Sequence, residues 1–125
     1  MNIPANLKYS KTDEWLDPAT GKVGLTDYAQ SQLSDIVFVE VVVAVGDVLQ
    51  TGKPIASVES VKAAAESYAP AIAKVVAINE DLANNPEVLN SDPYGKGWMI
   101  EIESSDAAGL MDSAAYAQYC EERAH

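Results

Sequence analysis

The sequence predicts a mainly β domain, α+β in class, with small helices attached. Three observations carry this reading: short runs rich in β-branched residues at close spacing, Gly, Pro, Asn and Asp between them, and one longer helical pattern near the C-terminal end. All seven glycines fall outside that helical pattern. A barrel or a sandwich satisfies these constraints equally.

Taken in order, Lys8-Tyr9-Ser10 and Asp13-Glu14-Trp15-Leu16 are short extended pieces, and Asp17-Pro18-Ala19-Thr20-Gly21 is a tight connection to the next strand. Thr26 caps a short helix running through Ser34, with Asp27 in its first turn where the helix dipole favours a carboxylate. The run from Ile36 to Val45, IVFVEVVVAV, is the clearest strand, and Gly46-Asp47 stops it. Strict alternation places Val37, Val39, Val41, Val43 and Val45 on the face predicted to meet the core. The same run is an aggregation-prone window wherever it is exposed.

Thr51-Gly52-Lys53-Pro54 is another turn, and the two short strands after it, around Ile55 to Glu59 and Glu66 to Pro70, flank a reversal near Lys62. Ile72 to Ile78 is a strand, Asn79-Glu80-Asp81 opens a short helical turn, and Asn85-Pro86-Glu87 reads as a second helix start with Asn85 as its cap. After the Ser91 to Gly97 loop, Trp98, Ile100 and Ile102 alternate with Met99, Glu101 and Glu103 as in a half-buried strand. Asp112 caps a C-terminal helix in which Tyr116, Tyr119, Cys120 and Arg123 form one stripe, expected to dock on the sheet.

A length of 125 residues suits one domain, spanning 1–125, and 48% apolar residues suffice for a core. Eight basic against nineteen acidic residues leave a formal charge of −11, which repels phosphate backbones and anionic headgroups and argues against nucleic-acid or membrane partners. Cys120 is the only cysteine and His125 the only histidine, so neither an internal disulfide, a Cys/His metal site nor a histidine triad is expected. No run reaches the length of a membrane span, and the expectation is a soluble, intracellular chain without a leader, most simply in a bacterial cytoplasm, although a processed organelle protein fits as well.

Phosphate-loop, dinucleotide and nucleophile-elbow signatures are absent, and with nineteen acids chance carboxylate pairs are abundant, so a self-contained active site is not expected. Lys62 differs from the other lysines: it lies in Val58-Glu59-Ser60-Val61-Lys62-Ala63-Ala64, among small apolar residues at a strand reversal. Its ammonium is a poor nucleophile at neutral pH, but at a hairpin tip it is a long handle for a modifying enzyme. On spacing alone, a snorkelling turn lysine is the favoured reading.

Glu59-Ser60-Val61-Lys62-Ala63 resembles the lipoyl-attachment motif of the glycine cleavage H-protein family. The likeness extends over about residues 7 to 122: Tyr9, Glu14-Trp15, Val23 to Gln30, Leu33, Asp35 to Glu40, Tyr68, Pro70, Asn79-Glu80, Asn85-Pro86-Glu87, Asn90, Ser91 to Gly95 and Gly97-Trp98 keep the family's order. The resemblance implies a barrel-sandwich hybrid of the lipoyl/biotin-carrier type with short peripheral helices and a C-terminal helix. It implies lipoic acid covalently attached to Lys62, and a non-catalytic carrier that takes the aminomethyl group left after glycine decarboxylation from the P protein to the T protein. It further implies reoxidation of the arm's dithiol by the L protein, and loading of the arm by a lipoate-attaching enzyme.

The same resemblance implies a surface cleft for the loaded arm. Glu14 matches the family position for a carboxylate that holds the amine. Thr12, Glu66 and Gln32 stand at further positions of the cleft. Asp13 departs from the family's usual His, Val41-Val42-Val43 from its Leu-Pro turn, Ala71 to Lys74 from its Ser-Gly turn, and Leu16 to Gly24 is about two residues short.

Competing readings are a biotin carrier, against which Val61 and Ala63 stand where that family has Met, a 2-oxo-acid dehydrogenase lipoyl domain, and a lipoyl donor or scaffold. An enzyme using Glu14 or Glu66 as a general base would turn over alone.

Overall fold

The computed structural model describes residues 1–106 and 109–123. Among these the strands are β1 (Lys8–Tyr9), β2 (Glu14–Leu16), β3 (Lys22–Leu25), β4 (Ile36–Val41), β5 (Val48–Leu49), β6 (Pro54–Ser60), β7 (Ala64–Tyr68), β8 (Ile72–Ile78) and β9 (Ile100–Asp106). The helices are α1 (Asp27–Leu33), α2 (Val88–Ser91) and α3 (Ser113–Arg123), with a 3-10 turn at Glu80–Ala83. Six strands form one antiparallel sheet in the order β1-β2-β3-β9-β8-β5, and three form another in the order β4-β6-β7.

Burial explains why these pieces assemble. The main core draws Leu16, Val23 and Val75 from the larger sheet and Ile36, Val39, Ile55 and Val58 from the smaller one, so each sheet covers the other's apolar face. A second, aromatic cluster of Leu7, Tyr9, Trp15, Tyr28, Tyr116 and Cys120 lies under α3, with the Tyr9 and Tyr116 rings stacked at 4.7 Å. Trp15 is paired with Gly24 across β2 and β3 and donates its indole N–H to the Pro93 carbonyl at 3.0 Å. A Cβ at Gly24 would come within 2.8 Å of that indole, so the ring needs glycine as its neighbour.

Several local expectations hold for stated reasons. Thr26 caps α1 by accepting the Ala29 N–H, and Asp112 caps α3 by accepting the Ala115 N–H. Asn79 opens the 3-10 turn as expected, its side-chain oxygen accepting from Asp81 while its amide donates to the Lys96 and Trp98 carbonyls. Asp17 accepts the Gly21 N–H, and Gly21, at φ +82°, closes the β2–β3 turn.

Three expectations are corrected. The strand predicted for Ile36 to Val45 ends at Val41, and a register shift between Ile36 and Phe38 puts Ile36 and Val39 inward while Val37 and Val45 are exposed. The last predicted strand begins at Ile100 rather than Trp98 and runs to Asp106. Met99, just before it, donates its N–H to the Val23 carbonyl and is buried beside Ile100 instead of opposing it. Asn85 does not cap α2, since its side chain donates back to the Asp81 carbonyl and Glu87 occupies the cap position without a side-chain bond.

Candidate functional site

The β6–β7 hairpin sets Lys62 at an exposed tip. Below the tip Val58 pairs with Ala65 and Glu59 with Ala64, and the Ser60 N–H closes the reversal onto the Ala63 carbonyl at 2.8 Å. The Ser60 hydroxyl oxygen accepts the N–H groups of Lys62 at 3.3 Å and of Ala63 at 3.1 Å, so the short polar residue shapes the turn from within. Val61 donates its N–H to the Asp35 carbonyl at 3.1 Å, tying the tip to the segment after α1. Val61, Lys62 and Ala63 are all exposed, and among the described residues the Lys62 ammonium takes part in no ion pair. A fixed backbone under a free amine fits a group joined to that amine as an amide.

On the outward face of the hairpin a hollow of about 410 Å³ is lined by Ser57, Glu59, Ala64, Glu66 and Tyr68 among others. Both of its carboxylates, Glu59 and Glu66, are exposed. Strand alternation sends the neighbouring Ser67 the other way, into the protein, where it is fully buried.

Glu14 lies on that inner side, also fully buried. One oxygen accepts from the Ser10 hydroxyl at 2.7 Å and from the Thr12 hydroxyl. The other accepts from the Tyr68 N–H at 3.0 Å and from the Ser67 hydroxyl at 3.4 Å. Burial pushes the carboxyl up to about 7, against the opposing pull of the Ser10, Thr12 and Tyr68 donors, and the nearby Asp13 charge adds to the rise. Loss of hydration thus outweighs the donors, and near neutral pH the group sits at the balance between acid and carboxylate.

Of the cleft residues expected from sequence, Thr12 and Glu14 are therefore in direct contact. Glu66 is one residue from Ser67 but points to the opposite face of β7, and Gln32 is exposed on α1 with no hydrogen bond to the other candidates among the described residues. Ser10 and Ser67, which sequence reading passed over, are the additional donors on Glu14. Ser10 was reachable from its spacing of four to Glu14, whereas Ser67, 53 positions away, becomes a neighbour only through the tertiary fold.

Comparison with known proteins bears directly on this arrangement. The family profile described as glycine cleavage H-protein matches residues 7–123. This chain belongs to the glycine cleavage H-protein family. Among its relatives, the glycine cleavage system H protein of Alteromonas mediterranea is 46% identical, with 97% of this chain and 98% of that one aligned. That of Carboxydothermus hydrogenoformans is 49% identical over 94% and 91% of the two chains. The crystal structure of a glycine cleavage system H protein from Mycobacterium marinum superposes with a TM-score of 0.84 at 29% identity, covering 98% of this chain and all of the other.

The two-sheet arrangement is accordingly the barrel-sandwich hybrid of the H-protein family, and the family's role is that of lipoyl carrier in the glycine cleavage system. No helix among the described residues is long and apolar enough to cross a membrane, and no cluster of His, Cys, Asp and Glu among them could hold a metal ion.

Proposed function

We propose that Lys62 is the lipoyl-lysine of a non-catalytic carrier subunit, formed by the 125 residues as one domain. The observation that carries this reading is the free, exposed ammonium on a hydrogen-bonded hairpin tip, in a chain matched to the H-protein family over residues 7–123. Glu59, Ser60, Val61 and Ala63 are the recognition motif around it, and they present the lysine to a lipoate-attaching enzyme as a loop of one shape. Lipoic acid held by Lys62 as an amide would supply a disulfide that accepts both the electron pair and the aminomethyl group left by glycine decarboxylation.

This chain's own residues tether and shelter. Tethering keeps the reactive sulfurs at high effective concentration before the P, T and L proteins in turn. Glu14, with Thr12 beside it, is the carboxylate for the arm's amine, and because it is fully buried the amine reaches it only by displacing one of its present donors. Glu66 on the outward face of β7 and Gln32 on α1 are separate, exposed candidates for the arm's path. The working compartment is the bacterial cytoplasm.

Intact mass before and after incubation with a lipoate-attaching ligase, lipoate and ATP tests the attachment, with peptide mapping of the position. One lipoyl amide on Lys62 is expected. Glycine–carbon dioxide exchange with purified P protein then tests the role. Exchange that survives Lys62→Ala unchanged sinks the carrier reading and favours a lipoyl donor or scaffold.

A further inference from the structure

Thr12 and Glu14 flank Asp13, whose backbone is left-handed at φ +73°. Few residues other than glycine adopt this region without help, although aspartate tolerates it better than most. The turn is closed by the Asp13 N–H on the Ser10 carbonyl at 3.2 Å and by the Ser10 N–H on the Glu14 carbonyl at 2.9 Å, while the Asp13 carbonyl accepts the Thr26 N–H at 3.0 Å. What holds the Asp13 side chain comes from the far end of the sequence.

Arg123, in the last turn of α3, grips both Asp13 oxygens, with Nη1 at 3.1 Å and Nη2 at 2.5 Å. The Tyr116 hydroxyl donates to Oδ1 at 2.8 Å and lies 2.7 Å from the buried Thr26 hydroxyl. The guanidinium carbon sits 4.5 Å from the Tyr28 ring centre and 4.0 Å from that of Tyr119, so the plane is held between two aromatic faces. It is the only ion pair among the described residues, and a fork of this kind fixes direction as well as distance.

We infer that Arg123 is a positioning residue for the arm cleft: acting through Asp13, it holds the 10–14 turn in the shape that brings the Thr12 and Ser10 hydroxyls onto Glu14, and it neutralises the one charge adjacent to that carboxylate. The inference rests on the reading of Thr12 and Glu14 as cleft residues. Its physical content does not depend on the arm. Without the guanidinium, the Asp13 carboxylate beside Glu14 loses its counter-charge, and the left-handed residue keeps only the Tyr116 hydroxyl as a side-chain anchor.

The test is the titration of the Glu14 carboxyl by NMR on the full chain carrying 13C-labelled glutamate, in wild type, Arg123→Gln and Arg123→Lys. The groups facing Glu14 are Ser10 and Thr12 from its own turn, Ser67 and Tyr68 from β7, and the charge of Asp13. Loss of donors and added repulsion act in the same direction, so Arg123→Gln moves the midpoint up by roughly half a pH unit or more. Arg123→Lys, keeping the charge but not the fork, gives a smaller rise. If Arg123 only packs α3, the melting temperature falls and the midpoint stays, which overturns the inference. Should Arg123→Gln fail to fold, an unmoved midpoint in Arg123→Lys overturns it equally.

A second readout, glycine–carbon dioxide exchange with P protein and lipoylated chains, falls roughly threefold in Arg123→Gln, with lipoylation of Lys62 unaffected. A wild-type chain that supports no exchange while the midpoint still shifts would defeat the carrier reading and leave the positioning role standing.

Discussion

The Glu14 carboxylate accepts the backbone N–H of Tyr68 at 3.0 Å, and so joins β2 of the larger sheet to β7 of the smaller one. β7 is also one arm of the Lys62 hairpin. One buried carboxyl group is therefore bonded to a strand that leads out of the lysine's turn.

The first prediction concerns pH. Burial raises the Glu14 carboxyl from its ordinary 4.5 to about 7, so between these values the folded chain keeps a proton that the unfolded chain has released. Stability from this group is fully present below the unfolded value and is lost as pH rises through about 7, with a ceiling of about 3 kcal/mol. Urea unfolding at about pH 5 and about pH 8 should show this loss in wild type and a flatter response in Glu14→Gln. Equal pH dependence in the two proteins would contradict it.

Ser60 shapes the tip through its hydroxyl. Ser60→Ala should leave the melting temperature close to wild type and lower kcat/KM for enzymatic lipoylation by roughly three- to tenfold, because the lysine is no longer presented in one geometry. An unchanged ligation rate would show that the ligase reshapes the loop itself.

The indole of Trp15 leaves no room for a methyl group on Gly24, at 2.8 Å from its nitrogen. Gly24→Ala should cost about 1–3 kcal/mol and alter tryptophan fluorescence as the ring moves. Denaturant titration followed by fluorescence checks both, and a variant as stable as wild type would mean that the ring relocates freely.

Strand β4 is an edge of its sheet and exposes Val37 and Phe38. A charge on such an edge blocks pairing with another chain. Val37→Lys should reduce association seen by light scattering at high concentration while changing stability by no more than about 0.5 kcal/mol. No difference in scattering would place any association elsewhere.

How far the sequence reaches depends on how local the cause is. Thr26 and Asp112 announce their helices because a cap is decided within a few residues, and the Lys62 hairpin is legible for the same reason. The valine run misleads because periodicity does not register the shift between Ile36 and Phe38, nor the release of the chain toward Gly46, which sits at φ +98°. The surroundings of Glu14 and the Asp13–Arg123 fork are hidden more deeply. Ser67 is 53 positions from Glu14 and Arg123 is 110 from Asp13, so no window along the chain contains both partners.

The hydrogen bonds of Ser60 and Asp35 immobilise the backbone on both sides of the Lys62 side chain. Anything attached to its amine swings from that pivot, and its end ranges within a shell bounded by the combined length of the side chain and the attached group. Enzymes that share such an arm must each bring their reacting centre within that shell. The greatest distance from footprint to chemistry is thereby imposed on every partner by one hairpin.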